Sequence, residues 1–182
     1  MDYLSPERAE TIRRLLDGYS SLSTKKLAEP LSSNFTHHVL PTSLGMPSRN
    51  KEEFALCAAG IFSIFQDFNM IPTNIYEDAK RDVVVIHARM RATPRNGSRG
   101  GKNEWDNECV LIVQLSKDGK QVTKLEEFVD SVMAVEMRKK HGSKFSLMVS
   151  DSKESLIRNA IVLTCLAAGS IMGMRWLLNR YD

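Results

Sequence analysis

Two histidines and a few strand-end carboxylates are the residues of this 182-residue chain best suited to moving a proton. His37 and His38 lie in a segment, residues 34–40, that reads as extended and is closed by Pro41. Adjacent strand residues point to opposite faces, so only one of the pair looks inward. An inward histidine is a candidate acid or base because its pKa lies near neutrality. In the segment 121–130, Lys124, Glu126, Phe128 and Asp130 share one face, and Leu125, Glu127 and Val129 share the other with Ser131. In 105–115, Glu108, Val110, Ile112 and Gln114 alternate with Asn107, Cys109, Leu111, Val113 and Leu115. A carboxylate at the end of an apolar strand is desolvated, which raises its pKa and lets it exchange protons near neutral pH. Asp130 and Glu108 are placed for that role, and a rim carboxylate paired to a nearby arginine is the alternative.

Other chemistries find little support. Cys57, Cys109 and Cys165 are widely spaced, with no Cys-x-x-Cys or Cys/His ligand pattern, so no metal site is expected and the thiols read as small buried hydrophobes. Residues 96–102 are glycine-rich, but Asn96 stands where a phosphate-binding loop needs glycine, and a strand follows instead of a helix. Arg89, Arg91, Arg95, Arg99 and Lys102 gather positive charge without interleaved aromatics, which suits a solvated outer face better than RNA. A net charge of +3 is also far from that of a dedicated nucleic-acid binder, so no nucleic-acid partner is expected.

The elements that would hold these residues follow from periodicity. Ser5-Pro6-Glu7 starts a helix with Ala9, Ile12, Leu15, Leu16 and Tyr19 on one face. A shorter helix follows over 23–31, facing Leu27 and Leu31 inward. Asn50 caps a third helix, in which Phe54, Cys57, Ala58, Ile61, Ile64, Phe65 and Phe68 repeat at steps of three and four. Residues 69–77, 82–92, 105–115 and 121–130 read as strands, with Asp118-Gly119 as a hairpin turn and 93–102 as a long connection. In 82–92 the uniformly apolar face, Val84, Ile86, Ala88 and Met90, is expected inward, which leaves His87 outward as a structural histidine. A short helix over 132–140 closes the domain. Helices followed by a run of strands predict an α+β fold whose curved antiparallel sheet and long helix leave an apolar pocket between them.

The three leading helices, the motif NECVLI at 107–112, KDGK at 117–120 and LEEFVDS at 125–131 resemble the nuclear transport factor 2-like superfamily, with its SnoaL-like and ketosteroid isomerase-like members. The resemblance spans roughly residues 6–140 and is nearest to small fungal members. It implies a cone-shaped, cystatin-like pocket and often a homodimer packed through the sheet. In SnoaL-like members an Asp near the end of a late strand is the acid/base, and Asp130 matches it. Ketosteroid isomerases add an oxyanion-hole Tyr, for which Tyr19 and Tyr76 are available.

Residues 160–174 carry no charge and no polar face, with Arg158 before them and Arg175, Trp176, Arg180 and Tyr181 after. The chain therefore divides into a domain at 1–140, a linker at 141–152 and a hydrophobic helix at 153–182. That helix reads as a membrane anchor spanning 157–178, as a helix lying flat on a membrane, or as one docked on protein. The charged start of the chain lacks a signal-peptide core, so a cytoplasmic protein is expected. Two functions stay open. One is cofactor-free acid/base chemistry (isomerisation, cyclisation or dehydration) on a hydrophobic small molecule. In it Asp130 shuttles a proton, His37, His38 or Glu108 assists, and Tyr19, Phe54, Ile61, Phe65, Tyr76, Val84, Ile86 and Phe128 form the wall. The other is a non-catalytic binding or interaction module.

Overall fold

The computed structural model describes residues 4–95 and 105–140. Ser5 accepts from the Arg8 amide to cap α1 (Pro6–Ser20), and Ile12, Leu15, Leu16 and Tyr19 of that helix are buried as their spacing predicts. Helix α2 (Thr24–Ala28) is one turn shorter than its pattern suggests, because Leu31 already begins strand β1 (Leu31–Leu40). The two helices cross closely at Gly18. A Cβ there would sit 2.7 Å from the Leu27 Cα, so the crossing leaves no room for a side chain.

Helix α3 (Lys51–Phe62) opens on a full capping box between Asn50 and Glu53. It ends six residues before the predicted limit at Phe68. Ile64 follows the helix, and Phe65 and Phe68 belong to strand β2 (Phe65–Asp78). The reason is a bulge between Phe65 and Asp67, which lets two residues three apart share the inner face of a strand. That spacing imitates a helix.

Strands β3 (Val83–Pro94), β4 (Trp105–Leu115) and β5 (Val122–Val129) lie where the alternation places them, and α4 (Ser131–Lys140) follows. Gly119, at φ +71°, turns β4 into the antiparallel β5 and is fastened to α1 by the Thr11 hydroxyl donating to its carbonyl at 2.7 Å. The sheet order is β1-β5-β4-β3-β2. It is α+β as expected but mixed, not antiparallel, because β1 pairs parallel with β5. A parallel neighbour needs a long crossover, and here the whole of α3 and β2–β4 supplies it. The helices accordingly do not all lead: β1 stands between α2 and α3.

One face of this sheet is the core. Val84, Ile86, Ala88 and Met90 are buried on it, as predicted for β3, together with Cys109, Leu111, Val113 and Leu125 from β4 and β5. Cys57 and Cys109 are buried free thiols. On the other face Arg89 forks onto Asp106 at 2.5 and 2.7 Å, and Arg91 approaches the same carboxylate at 3.4 Å, so much of this arginine charge is neutralised. His87 faces outward, 3.6 Å from Glu108. Among the described residues no helix is long and apolar enough to cross a membrane. The 96–102 loop, Cys165, the linker and the hydrophobic segment at 153–182 lie outside the described residues.

Candidate functional site

All five strands bring one end of their inner face to the same place. There β1, β3 and β5 finish and β2 and β4 begin, since Met90 pairs with Met70 and Asn107, Cys109 with Val129, and Val39 with Glu127. At the opposite end α1 fills the sheet's concavity. At this end α3 lies across it and leaves a cavity of about 130 Å³, close to the space that holds a single benzene ring in an engineered core. Its walls are Tyr19 from α1, Phe54, Cys57, Ala58, Ile61 and Phe62 from α3, Phe65 and Phe68 from β2, and Met90, Trp105 and Val129 from the other strands, with Ala134 of α4 beside them.

Into this apolar space come His37, Arg49, Asn107 and Glu127. His37 is the inward member of the histidine pair, 2% exposed, with its ring packed on Phe54 at a centroid distance of 4.7 Å. Its Nε2 lies 3.4 Å from the Glu127 Oε2, and its Nδ1 is buried without a hydrogen-bond partner among the described residues. Glu127 keeps 15% of its side chain accessible, so it is the more open of the two. The Arg49 backbone is stitched to the same histidine: the His37 amide donates to the Arg49 carbonyl at 2.8 Å, and the Arg49 amide donates back at 3.0 Å. That bridge covers the free edge of β1 and carries the Arg49 side chain, itself buried, to the cavity. Asn107 is held by its own strand, its Oδ1 accepting from the Glu108 amide at 2.8 Å.

The electrostatics follow from burial. The Tyr19 hydroxyl is sealed in without a hydrogen-bond partner among the described residues, and burial, reinforced by the Glu127 charge, pushes its pKa well above the usual phenol value. Burial also raises the Cys57 thiol; Arg49 opposes the rise and Glu127 adds to it. Cys109 is raised by burial and then by Glu127. In all three, burial favours the protonated form, and among the described residues Glu127 is the one carboxylate lining the cavity. Among the described residues no group of three or more His, Cys, Asp or Glu is placed to hold a metal ion.

Of the residues singled out in the sequence, Tyr19, His37, Phe54, Ile61 and Phe65 meet in the cavity. The others lie elsewhere. Asp130 is exposed, and its carboxylate caps α4, accepting from the Val132 and Met133 amides at 2.8 and 3.2 Å. Glu108 and His38 are on the outer face of their strands, opposite the inward Cys109 and His37. Phe128 and Tyr76 are also outward, 49% and 62% exposed. Val84 and Ile86 do face inward but are completely buried toward the α1 end, away from the cavity. The residues not anticipated are Glu127, Arg49 and Asn107. Glu127 had a signal, since it alternates with Leu125 and Val129; Arg49 had none, because its burial comes from a single bridge back to β1 that no periodicity records.

No protein-family model matches the chain. Curated relatives include monooxygenase dmxR10 of a Cryptosporiopsis species, 27% identical over 68% of this chain and 80% of its own length. Monooxygenase nsrS of Aspergillus novofumigatus is 29% identical over 68% of this chain and 81% of its own. Among solved structures, the BvnE pinacolase of Penicillium brevicompactum superposes with TM-score 0.67 at 16% identity, over 75% of this chain and 95% of its own. AusH of Aspergillus nidulans gives 0.63 at 23% identity, over 70% and 86%. A protein of ketosteroid isomerase-like fold from Catenulispora acidiphila gives 0.55 at 11% identity, over 67% and 86%.

Proposed function

The chain has the nuclear transport factor 2-like fold of SnoaL-like and ketosteroid isomerase-like proteins, and from that premise we propose that it binds a hydrophobic small molecule and moves a proton on it. The observation that carries this reading is the meeting of Glu127 and His37 in one apolar cavity. Glu127 takes the proton, being the accessible partner, and His37 steadies the carboxylate by donating from Nε2. The separation of 3.4 Å is long for such a bond, as catalytic hydrogen bonds often are before substrate closes the site. The aromatic walls exclude water, so the carboxylate is not shielded from the reacting carbon. Base-initiated isomerisations, cyclisations and dehydrations begin with such a step.

Acetophenone, a single ring bearing enolisable hydrogens, is the test ligand. In heavy water the chain should speed deuterium exchange at its methyl group, and Glu127→Gln should lower that rate by roughly 10²–10⁴-fold, the usual worth of a positioned acid/base. If acetophenone binds but no exchange is accelerated, the passive binding module is left standing.

The names of the relatives at 27% and 29% identity favour a second reading, an oxygenation. The same proton removal would begin it by making an electron-rich carbanion that reduces O2. One oxygen atom would enter the substrate, and the other would leave as water with two hydrogens and two electrons from the substrate carbon. Oxygen uptake by the chain with its co-purified ligand separates this from an isomerisation, which consumes none.

A further inference from the structure

We infer that the outward face of α4 rests on an anionic lipid surface, which holds the cavity end of the domain against a membrane. The inference goes beyond the proposed function and does not depend on it, because it concerns where the domain docks and not what the cavity does.

A helix on the surface of a domain normally turns its apolar stripe inward. In α4 the order is reversed. Ser131, Met133 and Ala134 are partly buried, and Ala134 reaches the cavity wall, while Val132 and Val135 are 66% and 40% exposed. Glu136 and Lys139 are exposed with them, and the steps between 132, 135, 136 and 139 put all four on one helical face. The helix begins where β5 finishes, at the end of the sheet that holds the cavity. Its start is fixed there by the Asp130 carboxylate, which accepts from the Val132 and Met133 amides. The two valines are therefore presented to the outside by a helix anchored beside the cavity.

Charge then selects the partner. From residue 137 to residue 150 the sequence carries Arg138, Lys139, Lys140 and Lys144 and no Asp or Glu. Glu136 stands before this run, and Asp151, Lys153 and Glu154 follow it. Basic residues next to exposed valines match the anionic headgroup layer of a membrane. There the valines reach the acyl boundary, and each Lys or Arg adds attraction. Two valines offer far too little apolar area for a stable protein interface, which buries on the order of 1,000 Å² or more. A lipid surface needs no matching shape. The chain beyond also carries the second hold that stable surface binding requires. Residues 160–174 have no charge and no polar face, with Arg158 before them and Arg175 and Trp176 after. Such a segment gains from lipid on every side, whereas docking on protein would use one face.

The test uses the full chain with Cys165→Ser and with Val135→Cys carrying an environment-sensitive nitrobenzoxadiazole dye. Cys57 and Cys109 are buried and stay unlabelled. The chain is titrated with vesicles of phosphatidylcholine alone or mixed with phosphatidylserine. The dye at 135 is the readout in place of flotation, because the apolar segment at 160–174 partitions into neutral lipid too. Its emission should rise and shift to the blue on the mixed vesicles, and respond at least about fivefold less on phosphatidylcholine alone. The same dye on Tyr76→Cys, exposed near the far end of β2, should stay silent. Raising salt from about 0.1 M to about 1 M shortens the screening length from about 10 Å to about 3 Å and should remove the response. Lys139→Gln should lower the ratio of docked to free α4 about fivefold, and adding Arg138→Gln and Lys140→Gln should lower it on the order of a hundredfold. Where the dye-bearing chain does not fold, amide hydrogen exchange of residues 131–139 in the unaltered chain decides, the mixed vesicles being expected to slow it and phosphatidylcholine alone not. A silent dye at 135, an equal response on phosphatidylcholine alone or at 1 M salt, or charge variants that dock as well as wild type overturns the inference. So does a response that needs no vesicles and grows with protein concentration, which would assign the face to a second copy of the chain.

Discussion

Phe54 is the wedge of the site, and replacing it with alanine tests the geometry at several points at once. Its ring packs on His37 at 4.7 Å, on Phe35 at 5.4 Å and edge-on to Tyr19 at 6.4 Å, and the residue is only 4% exposed. Truncating a buried phenylalanine costs about 3–5 kcal/mol through lost transfer energy and the hole left behind. Here one side of the ring already borders the cavity, so fewer packing contacts are lost and the expected cost is at the low end, about 3 kcal/mol. In a domain of this size each kilocalorie moves the midpoint of thermal unfolding by roughly 2–8 °C, so a fall of about 6 °C or more is expected by calorimetry. The enlarged cavity stays apolar and should bind benzene, which raises the melting temperature of the variant more than that of the wild type. Freed from the ring it packs against, His37 should also hold Glu127 less well, and deuterium exchange should fall without any acid/base group having been removed. A stability loss under about 1 kcal/mol, or exchange equal to wild type, would refute the placement of Phe54 between the cavity and His37.

Three further outcomes follow from the same structure. Asp130→Asn should leave acetophenone exchange unchanged, and Asp130→Ala should cost about 1 kcal/mol by denaturant unfolding, the usual worth of an N-cap, because that carboxylate caps α4 outside the cavity. Gly18→Ala should lose about 1–3 kcal/mol in the same measurement, since its new methyl meets the Leu27 backbone at 2.7 Å. Tyr19, Cys57 and Cys109 have pKa values raised above their unfolded ones. Their contribution is complete below those unfolded values and is lost as pH rises past about 8.5 for the thiols and about 10 for the phenol. Stability should thus decline in alkali, and Tyr19→Phe should flatten the part of the decline above about pH 10.

The strands and the inner face of β3 could be read from alternation alone, because a half-buried strand writes its burial into every second residue. The end of α3 could not. Phe65 and Phe68 kept a helical spacing through a bulge, which no period registers. For β5 alternation separates the two faces, and the one bearing Glu127 and Val129 lines the cavity. Asp130, matched by the family resemblance, stands on the face that bears Lys124 and Glu126, while Leu125 and Val129 mark the other as inward. The parallel pairing of β1 with β5 depends on contacts ninety residues apart, such as that of His37 with Glu127, and local sequence does not encode them. The inward choice between His37 and His38 was equally a matter of that pairing.

The central claim is that Glu127 and His37 work as one unit inside the cavity, and a double-mutant cycle on acetophenone deuterium exchange tests it most directly. Glu127→Gln should carry nearly the whole loss, His37→Asn a part of it, and the double variant should be no slower than Glu127→Gln. Losses that multiply, or a Glu127→Gln variant that exchanges as fast as wild type, would contradict it.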